Sequence, residues 1–330
     1  MTKEFPVTNS TLSANKLGEL IQQKYNLSKN IECKLFRTGM NHVYMINDGY
    51  EKFVFRVYTF DWRTKTEIAE ELKLLNHLKE KNVAVSFPIA DNYNDFIQEL
   101  NAPEGLRFGV LFSFAAGKKS VLFSDETSFN IGQTLACVHQ YTKNYSLNRT
   151  TYNTTILLNE ALKNTRNFFK IENDDIRFLD EMNNYLQKEF EKVDYPQIRF
   201  GAIHMDVWFD NFHFDEENKV TLFDFDFCGN GWLCLDISYF LFQLFNTNLN
   251  EDEYQLKATS FIKGYESIIE ISIDEKQILR FGCLSIMNYY LSMQCKSYDK
   301  WTNIFLNEDH LKRFVANLKR WIHYNKIEFN

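Results

Sequence analysis

The sequence is poor in chain breakers, with only four prolines and twelve glycines in 330 residues and no Pro/Gly/Ser-rich tract. A flexible linker between domains is therefore excluded. The length suits two lobes of about 100–200 residues each, so any lobes must be closely joined. No repeat period is present, which rules out a solenoid. No apolar run reaches the roughly 18–20 residues of a membrane span, since even Ile237–Phe245 is interrupted by Ser238 and Gln243. Met1 to Pro6 lacks the apolar core of a secretory signal. Cys33, Cys137, Cys228, Cys234, Cys283 and Cys295 form no CxxC pair or regular framework. They read as reduced, mostly buried thiols of a cytoplasmic protein. No Cys/His grouping has zinc spacing, and neither GxSxG nor HExxH occurs. A basic excess is also missing: Lys plus Arg is 37 against 44 for Asp plus Glu. That balance excludes non-specific nucleic-acid binding.

Residues 1–115 carry 14 basic and 14 acidic side chains, so the whole net charge of −7 falls in residues 116–330. An acidic second part is either a solvated surface or a field that draws a cationic substrate. The hydrophobic fraction of 45%, with 31 Phe, 17 Tyr and 5 Trp, is enough for a substantial core. Hydrophobic periodicity predicts a helix over Leu12–Tyr25, strands over Ile31–Arg37, His42–Ile46 and Lys52–Tyr58, and a turn at Asn47-Asp48-Gly49. A helix over Thr64–Lys81 carries Ile68, Leu72, Leu75 and Leu78 on one stripe, followed by strands over Asp95–Leu100 and Arg107–Phe114.

From Ser124 onward long helices take over, the clearest over Asp174–Val193 behind an Asn173 cap. One β interruption stands among them: Gln197–Ile203, Asn211–Phe214 and Lys219–Phe225, with a turn at 215–218. Further helices are predicted over Leu233–Phe245, Glu251–Glu270, Asp274–Cys295 and Glu308–Tyr324. The fold class is α+β: a β-rich small lobe over 1–115 and a larger, mainly helical lobe over 116–330.

The β interruption holds the residues that suggest chemistry. His204-Met-Asp206-Val-Trp-Phe-Asp-Asn211 is followed by Asp224-Phe-Asp226 at the end of the next strand. Asp206 and Asn211 share one loop, and the hairpin returns Asp224 beside it, so three oxygen-bearing side chains converge. Such hard donors suit Mg²⁺, which takes one or two carboxylates and completes its shell with water and phosphate oxygens. A carboxylate left off the metal can accept a hydroxyl proton. The competing reading is a set of turn residues flanking a buried strand.

With its downstream Asp-Phe-Asp and the Asp236 that follows Gly229-Asn-Gly231-Trp-Leu-Cys-Leu, this pattern resembles the aminoglycoside phosphotransferase and choline kinase superfamily, which has the protein-kinase-like bilobal fold. The layout is most similar to the branch of type II homoserine kinases and bacterial stress-response Ser/Thr kinases. The resemblance runs from about Leu35 to the carboxyl terminus. It implies that Asp206 is the catalytic base, that His204 braces its loop, and that Asn211 and Asp224 hold magnesium against the phosphates of ATP. Asp226 would share metal or phosphate contacts, or occupy an exposed turn. Asp236 would tie down the loop backbone, and His139 would be structural. His213, between Phe212 and Phe214, reads as a surface or packed histidine.

In the small lobe, the resemblance makes Arg56 the phosphate-binding basic residue, in place of the more usual lysine, and Glu71 its ion-pair partner, with Glu67 and Glu70 as neighbouring choices. Thr38-Gly39-Met-Asn41-His42 would cover the phosphates with backbone N–H groups, although it has one glycine where protein kinases have three; a plain turn is the alternative. Backbone groups near Ser113 and Ala115 would meet adenine. Met205 stands where the family usually has glycine. The implied activity is Mg²⁺-ATP-dependent phosphoryl transfer to a hydroxyl of a small molecule. Transfer to a protein Ser or Thr, and a catalytically silent nucleotide-binding module, are the alternatives. The acceptor and the oligomeric state are not legible; the acceptor pocket is expected among helices beyond Trp232, including Phe281–Tyr290 and Trp301.

Overall fold

The computed structural model describes residues 5–28, 31–121, 123–170, 172–248, 250–299 and 304–329, so Trp301 lies outside the described residues. Two compact units are present, one ending at Ala116 and the other beginning at Gly117.

The first unit opens with α1 (Ala14–Lys24), started by the Ser13 hydroxyl, which accepts the Lys16 N–H. Three strands follow, β1 (Glu32–Arg37), β2 (Asn41–Asn47) and β3 (Lys52–Tyr58). The tight turn between β2 and β3 works because Gly49 takes φ +90° and Asp48 Oδ1 accepts the N–H groups of Tyr50 and Glu51. The next helix, α2 (Lys65–Glu80), begins with a reciprocal capping box between Thr64 and Glu67. It buries Ile68, Leu72, Leu75 and Leu78, the stripe read from the sequence, and with them Glu71. After it come β4 (Pro88–Ile89), β5 (Ile97–Ala102) and β6 (Gly105–Ser113). The sheet is antiparallel, ordered β1-β2-β3-β6-β4, with β5 paired to β6. Tyr44, Phe55, Val57 and Leu111 pack with Leu17 and Ile21 of α1 and with Tyr25, which follows it, on one side of the sheet. The two-residue β4 has no period to read, and a proline opens it.

The second unit is helical around two small β pairs. Helix α3 (Asp125–Thr142) lies against α7 (Glu251–Glu266) with glycines facing backbone on both sides. A Cβ on Gly132 would sit 2.1 Å from Phe261 O, and one on Gly264 would sit 2.0 Å from Phe129 O, so no side chain fits at either crossing. A π-turn over Thr155–Glu160 runs into α4 (Ala161–Phe169), and α5 (Asp174–Glu191) starts at the expected Asn173 cap. Strand β7 (Phe200–Ile203) pairs with β10 (Gly229–Trp232), while β8 (Phe212–Phe214) and β9 (Val220–Leu222) form the hairpin. Helices α6 (Cys234–Thr247), α8 (Ile273–Leu279), α9 (Gly282–Lys296) and α10 (Glu308–Tyr324) complete the unit.

Three sequence expectations are corrected. Asp274–Cys295 is two helices, because the ladder opens between Leu279 and Gly282. The released groups are taken up by side chains from elsewhere: Ser238 Oγ donates to Leu279 O at 2.9 Å and accepts Cys283 N–H at 2.7 Å, and Trp321 Nε1 donates to Arg280 O at 2.8 Å. The segment 229–232, for which no strand is predicted from the sequence, is strand β10. Strand β9 stops at Leu222 rather than Phe225, because Asp224 adopts the left-handed conformation at φ 65° and a 3₁₀ turn follows over Phe225–Phe227.

Candidate active site

The loop after β7 is held by one buried carboxylate. Asp236, in the first turn of α6, accepts the N–H of His204 on Oδ2 at 2.8 Å and the N–H of Met205 on Oδ1 at 2.8 Å. Its Oδ2 also meets His139 Nε2 at 3.2 Å, and His139 Nδ1 meets the Tyr265 hydroxyl at 2.8 Å. Both His139 and Asp236 are fully buried, which fits structural roles. Turning two consecutive amides onto one carboxylate puts Met205 in the left-handed region, at φ 67°. A glycine would adopt that conformation without cost, whereas here a methionine holds it.

His204 closes the other side of the loop. Its Nδ1 accepts the Asp206 N–H at 3.0 Å, and its Nε2 lies 3.1 Å from Phe223 O. One ring nitrogen must accept and the other donate, so the neutral Nε2–H tautomer satisfies both contacts. Burial favours the same form and lowers the His204 pKa below its usual 6.5. His213, on β8, is half-buried and packs edge-on against Phe223 with ring centroids 4.8 Å apart.

Asp206 is anchored through both oxygens. Asn211 Nδ2 donates to Oδ2 at 2.8 Å and also to the Asp206 carbonyl at 2.9 Å, while the Tyr239 hydroxyl lies 3.4 Å from Oδ1. Burial, and after it the charge of Asp224, raises the Asp206 pKa from 3.8 to about 7, against hydrogen bonds from Tyr290, Asn211 and Tyr239 that pull it down. A carboxylate in such a setting is tuned toward proton acceptance near neutral pH.

Asn211 and Asp224 are set side by side by the β8–β9 ladder, which ends on a Phe223 N–H to Asn211 O bond of 3.0 Å. Because Asn211 commits its amide nitrogen to Asp206, the amide oxygen is what it can offer a cation. One amide oxygen plus one carboxylate is a donor set that fits Mg²⁺, which needs few protein ligands. Among the described residues no three carboxylates, imidazoles or thiols converge on a metal position. Asp226 is 2% exposed in the 3₁₀ turn, so the exposed-turn alternative does not apply. Its carbonyl accepts a hydrogen bond from the Arg149 guanidinium, which also reaches Cys228 Sγ at 3.3 Å.

The first unit holds the predicted phosphate-binding residues. Arg56 Nη1 donates to Glu71 Oε1 at 2.7 Å, and the Tyr58 hydroxyl joins both, donating to Glu71 Oε2 at 3.0 Å and lying 3.3 Å from Arg56 Nη1. The structure thus selects Glu71 over Glu67, which caps α2. The guanidinium sits over the Phe112 ring at 4.6 Å. Gly39 lies in the β1–β2 loop with open space where a Cβ would point, and Asn41 starts β2 opposite Tyr58. Ser113 spends both backbone groups inside the unit: its N–H donates to Phe87 O at 2.9 Å and its carbonyl accepts from Ser86 Oγ at 2.6 Å. Ala115, two residues beyond β6, is buried.

Sequence reasoning missed Tyr239 and placed Tyr290 only within a general aromatic region. Tyr239 follows Asp236 by three residues on α6, so the two share a helix face, and that spacing was the available signal. Nothing local marks Tyr290, which reaches the loop from α9 and donates to Met205 O at 3.0 Å.

The model of the phosphotransferase enzyme family matches residues 32–269, which includes every site residue predicted from the sequence but not Tyr290. The chain belongs to the phosphotransferase enzyme family. An uncharacterized protein of Synechocystis sp. is 29% identical over 325 residues, 96% of this chain and 87% of that one. Among solved structures, a microcompartment-associated aminopropanol kinase is similar with a TM-score of 0.75 and 17% identity, covering 96% of this chain and 100% of that chain. The amicoumacin kinase hAmiN, in complex with AMP-PNP, Ca²⁺ and Ami, has a TM-score of 0.75 and 18% identity over 94% of each chain. This phosphotransferase therefore has the kinase-like fold of those neighbours, with an antiparallel sheet in the first unit and helices in the second. Among the described residues no helix is long and apolar enough to cross a membrane.

Proposed function

We propose that this phosphotransferase moves the γ-phosphoryl group of ATP to a hydroxyl of a small-molecule acceptor, with Mg²⁺ as the metal. The observation that carries the reading is the Asp206 carboxylate, bonded to Asn211 on one oxygen, in contact with Tyr239 on the other, and raised toward neutral pKa beside Asp224. In this reaction the acceptor oxygen forms a bond to the γ-phosphorus while the bond from that phosphorus to the β–γ bridging oxygen breaks, and ADP leaves with the electron pair. Asp206 orients the acceptor hydroxyl and takes its proton. Asn211 Oδ1 and Asp224 are the groups that would hold the cation, which when bound neutralises charge on the phosphates. Arg56, bonded to Glu71 and Tyr58, is suited to clamp phosphate oxygens through its guanidinium. Gly39 and Asn41 would approach the phosphates, and Ala115 the adenine.

The similar amicoumacin kinase, which holds AMP-PNP and Ca²⁺, and the aminopropanol kinase support a nucleotide, a divalent cation and a small acceptor. Six free thiols suit a reducing compartment, and we place the reaction in the cytoplasm. The test is transfer from γ-labelled ATP with Mg²⁺ to a panel of small hydroxyl compounds and a generic protein. Asp206→Asn keeps the shape but not the base, so turnover should fall by about 10²–10⁴-fold while ATP still binds. Turnover retained in a clean preparation of the variant refutes the assignment, and label on the protein instead of the small molecules moves the acceptor to a Ser or Thr side chain.

A further inference from the structure

Both oxygens of Asp206 face hydrogen-bond donors, but only one of those donors belongs to the loop motif. Asn211 takes Oδ2, and the donor at Oδ1 is the Tyr239 hydroxyl, from α6. Tyr239 is 5% exposed, and a buried phenol requires a partner for its proton. Asp206 is one such partner, at 3.4 Å, beside Gln243 and Tyr290, and the contact is long, of the kind that tightens when a substrate orders a site. The Tyr290 ring stacks on Tyr239, with centroids 5.5 Å apart and planes 18° from parallel. Its own hydroxyl donates to the carbonyl of Met205, the strained residue next to Asp206. The ring of Phe227 backs Tyr290 at 5.3 Å. Burial, and after it the Asp206 charge, raises both phenol pKa values well above 10, which keeps the two hydroxyls protonated as donors.

We propose that Tyr239 is a positioning residue for the phosphoryl-transfer base: its hydroxyl fixes the second oxygen of Asp206, and Tyr290 holds Tyr239 and the Met205 carbonyl in register with it. The role rests on the phosphotransferase reading of Asp206. Two donors approaching opposite oxygens fix the rotation of the carboxylate as one cannot. Each oxygen keeps a lone pair, so the acceptor hydroxyl meets a base whose direction is already set. Phenylalanine in place of Tyr239 preserves the ring, the stack and the apolar burial, so the hydroxyl is tested without the packing.

The experiment uses the full chain labelled with carboxyl-¹³C aspartate, in which the Asp206 resonance is identified by its absence from Asp206→Asn. In Tyr239→Phe that resonance should move, the urea midpoint should stay near the parent value, and kcat for transfer from γ-labelled ATP should fall about tenfold with the KM for ATP unchanged. Tyr290→Phe should lower kcat as well, since its hydroxyl donates to the Met205 carbonyl and also acts on the Asp206 carboxylate. An unmoved Asp206 resonance, or a moved resonance with parental kcat, overturns the proposal. Retained transfer in Asp206→Asn refutes the base itself and removes the positioning role with it, and a shifted resonance in Tyr239→Phe would then show that the contact was real and the chemistry misassigned.

Discussion

The Arg56–Glu71 pair separates what the fold needs from what the reaction needs. Glu71 is completely buried and the Arg56 side chain is 9% exposed, so both charges have left water. At 2.7 Å and an effective dielectric of about 20, their gross attraction is about 6 kcal/mol, of which desolvation takes back several. Replacing Arg56 with Met takes from the buried Glu71 its charged partner and leaves it the neutral Tyr58 hydroxyl at 3.0 Å. The expected loss is about 3–5 kcal/mol. Replacing Glu71 with Leu instead takes the carboxylate from the guanidinium, while the Phe112 ring at 4.6 Å and the Tyr58 hydroxyl at 3.3 Å retain part of its stabilisation, so the expected loss is at the lower end of the same range. The double variant removes both charges and keeps the volume. Its stability should lie within about 1 kcal/mol of the parent or above it, because no unpaired charge remains.

Urea unfolding of the four proteins supplies the cycle, and the expected coupling is about 3 kcal/mol or more. Label transfer from ATP, measured on the same preparations, should be lost in all variants, the stable double variant included. A pair that is dispensable for folding but required for turnover is kept for its chemistry. The reasoning fails if the double variant is as unstable as the sum of the singles, which would make the pair a structural requirement. It fails equally if that variant transfers phosphate at the parental rate.

Two further substitutions probe the loops. Met205→Gly relieves about 1–2 kcal/mol of left-handed strain but gives up a fully buried side chain worth about 2–5 kcal/mol, so the variant should be less stable by roughly 2 kcal/mol in urea, and equal or higher stability would show that strain dominates. Gly39→Ala meets no atom within 4 Å and should leave the unfolding midpoint unchanged, yet it should weaken ATP binding if that loop approaches the phosphates, and unaltered ATP affinity would reduce Gly39 to an ordinary turn residue.

What could be read in advance follows from how local each signal is. The stripe Ile68-Leu72-Leu75-Leu78, the Asn173 cap and the turn at Asp48-Gly49 are set by neighbours in sequence, and all three stand in the structure. The break between α8 and α9 was invisible because the groups that accommodate it, Ser238 and Trp321, come from distant helices. Strand β10 was missed because Gly229, Asn230 and Gly231 have weak strand propensity and are held extended by pairing with β7. In the site, Asp206, Asn211 and Asp224 were legible as a spacing, and the structure brings them together on one loop and hairpin. The aromatic pair was not, because Tyr290 depends on where α9 packs against α6, which no local pattern records.

The position of Met205 explains why the loop tolerates strain at the residue beside its proposed base. The N–H groups of His204 and Met205 can reach the two oxygens of one carboxylate only if the chain turns sharply between Ile203 and Asp206, and the left-handed conformation at Met205 makes that turn. Hydrogen bonds to a charged acceptor are worth about 1.5–3 kcal/mol each, so the two formed with Asp236 outweigh the roughly 1–2 kcal/mol of backbone strain. The same turn delivers the Asp206 N–H to His204 Nδ1, whose other nitrogen is already committed to Phe223 O. Every amide from His204 to Asp206 is thereby spent on a buried partner. If Asp206 is the base proposed above, a carboxylate on such a backbone needs little reorganisation when its substrate arrives.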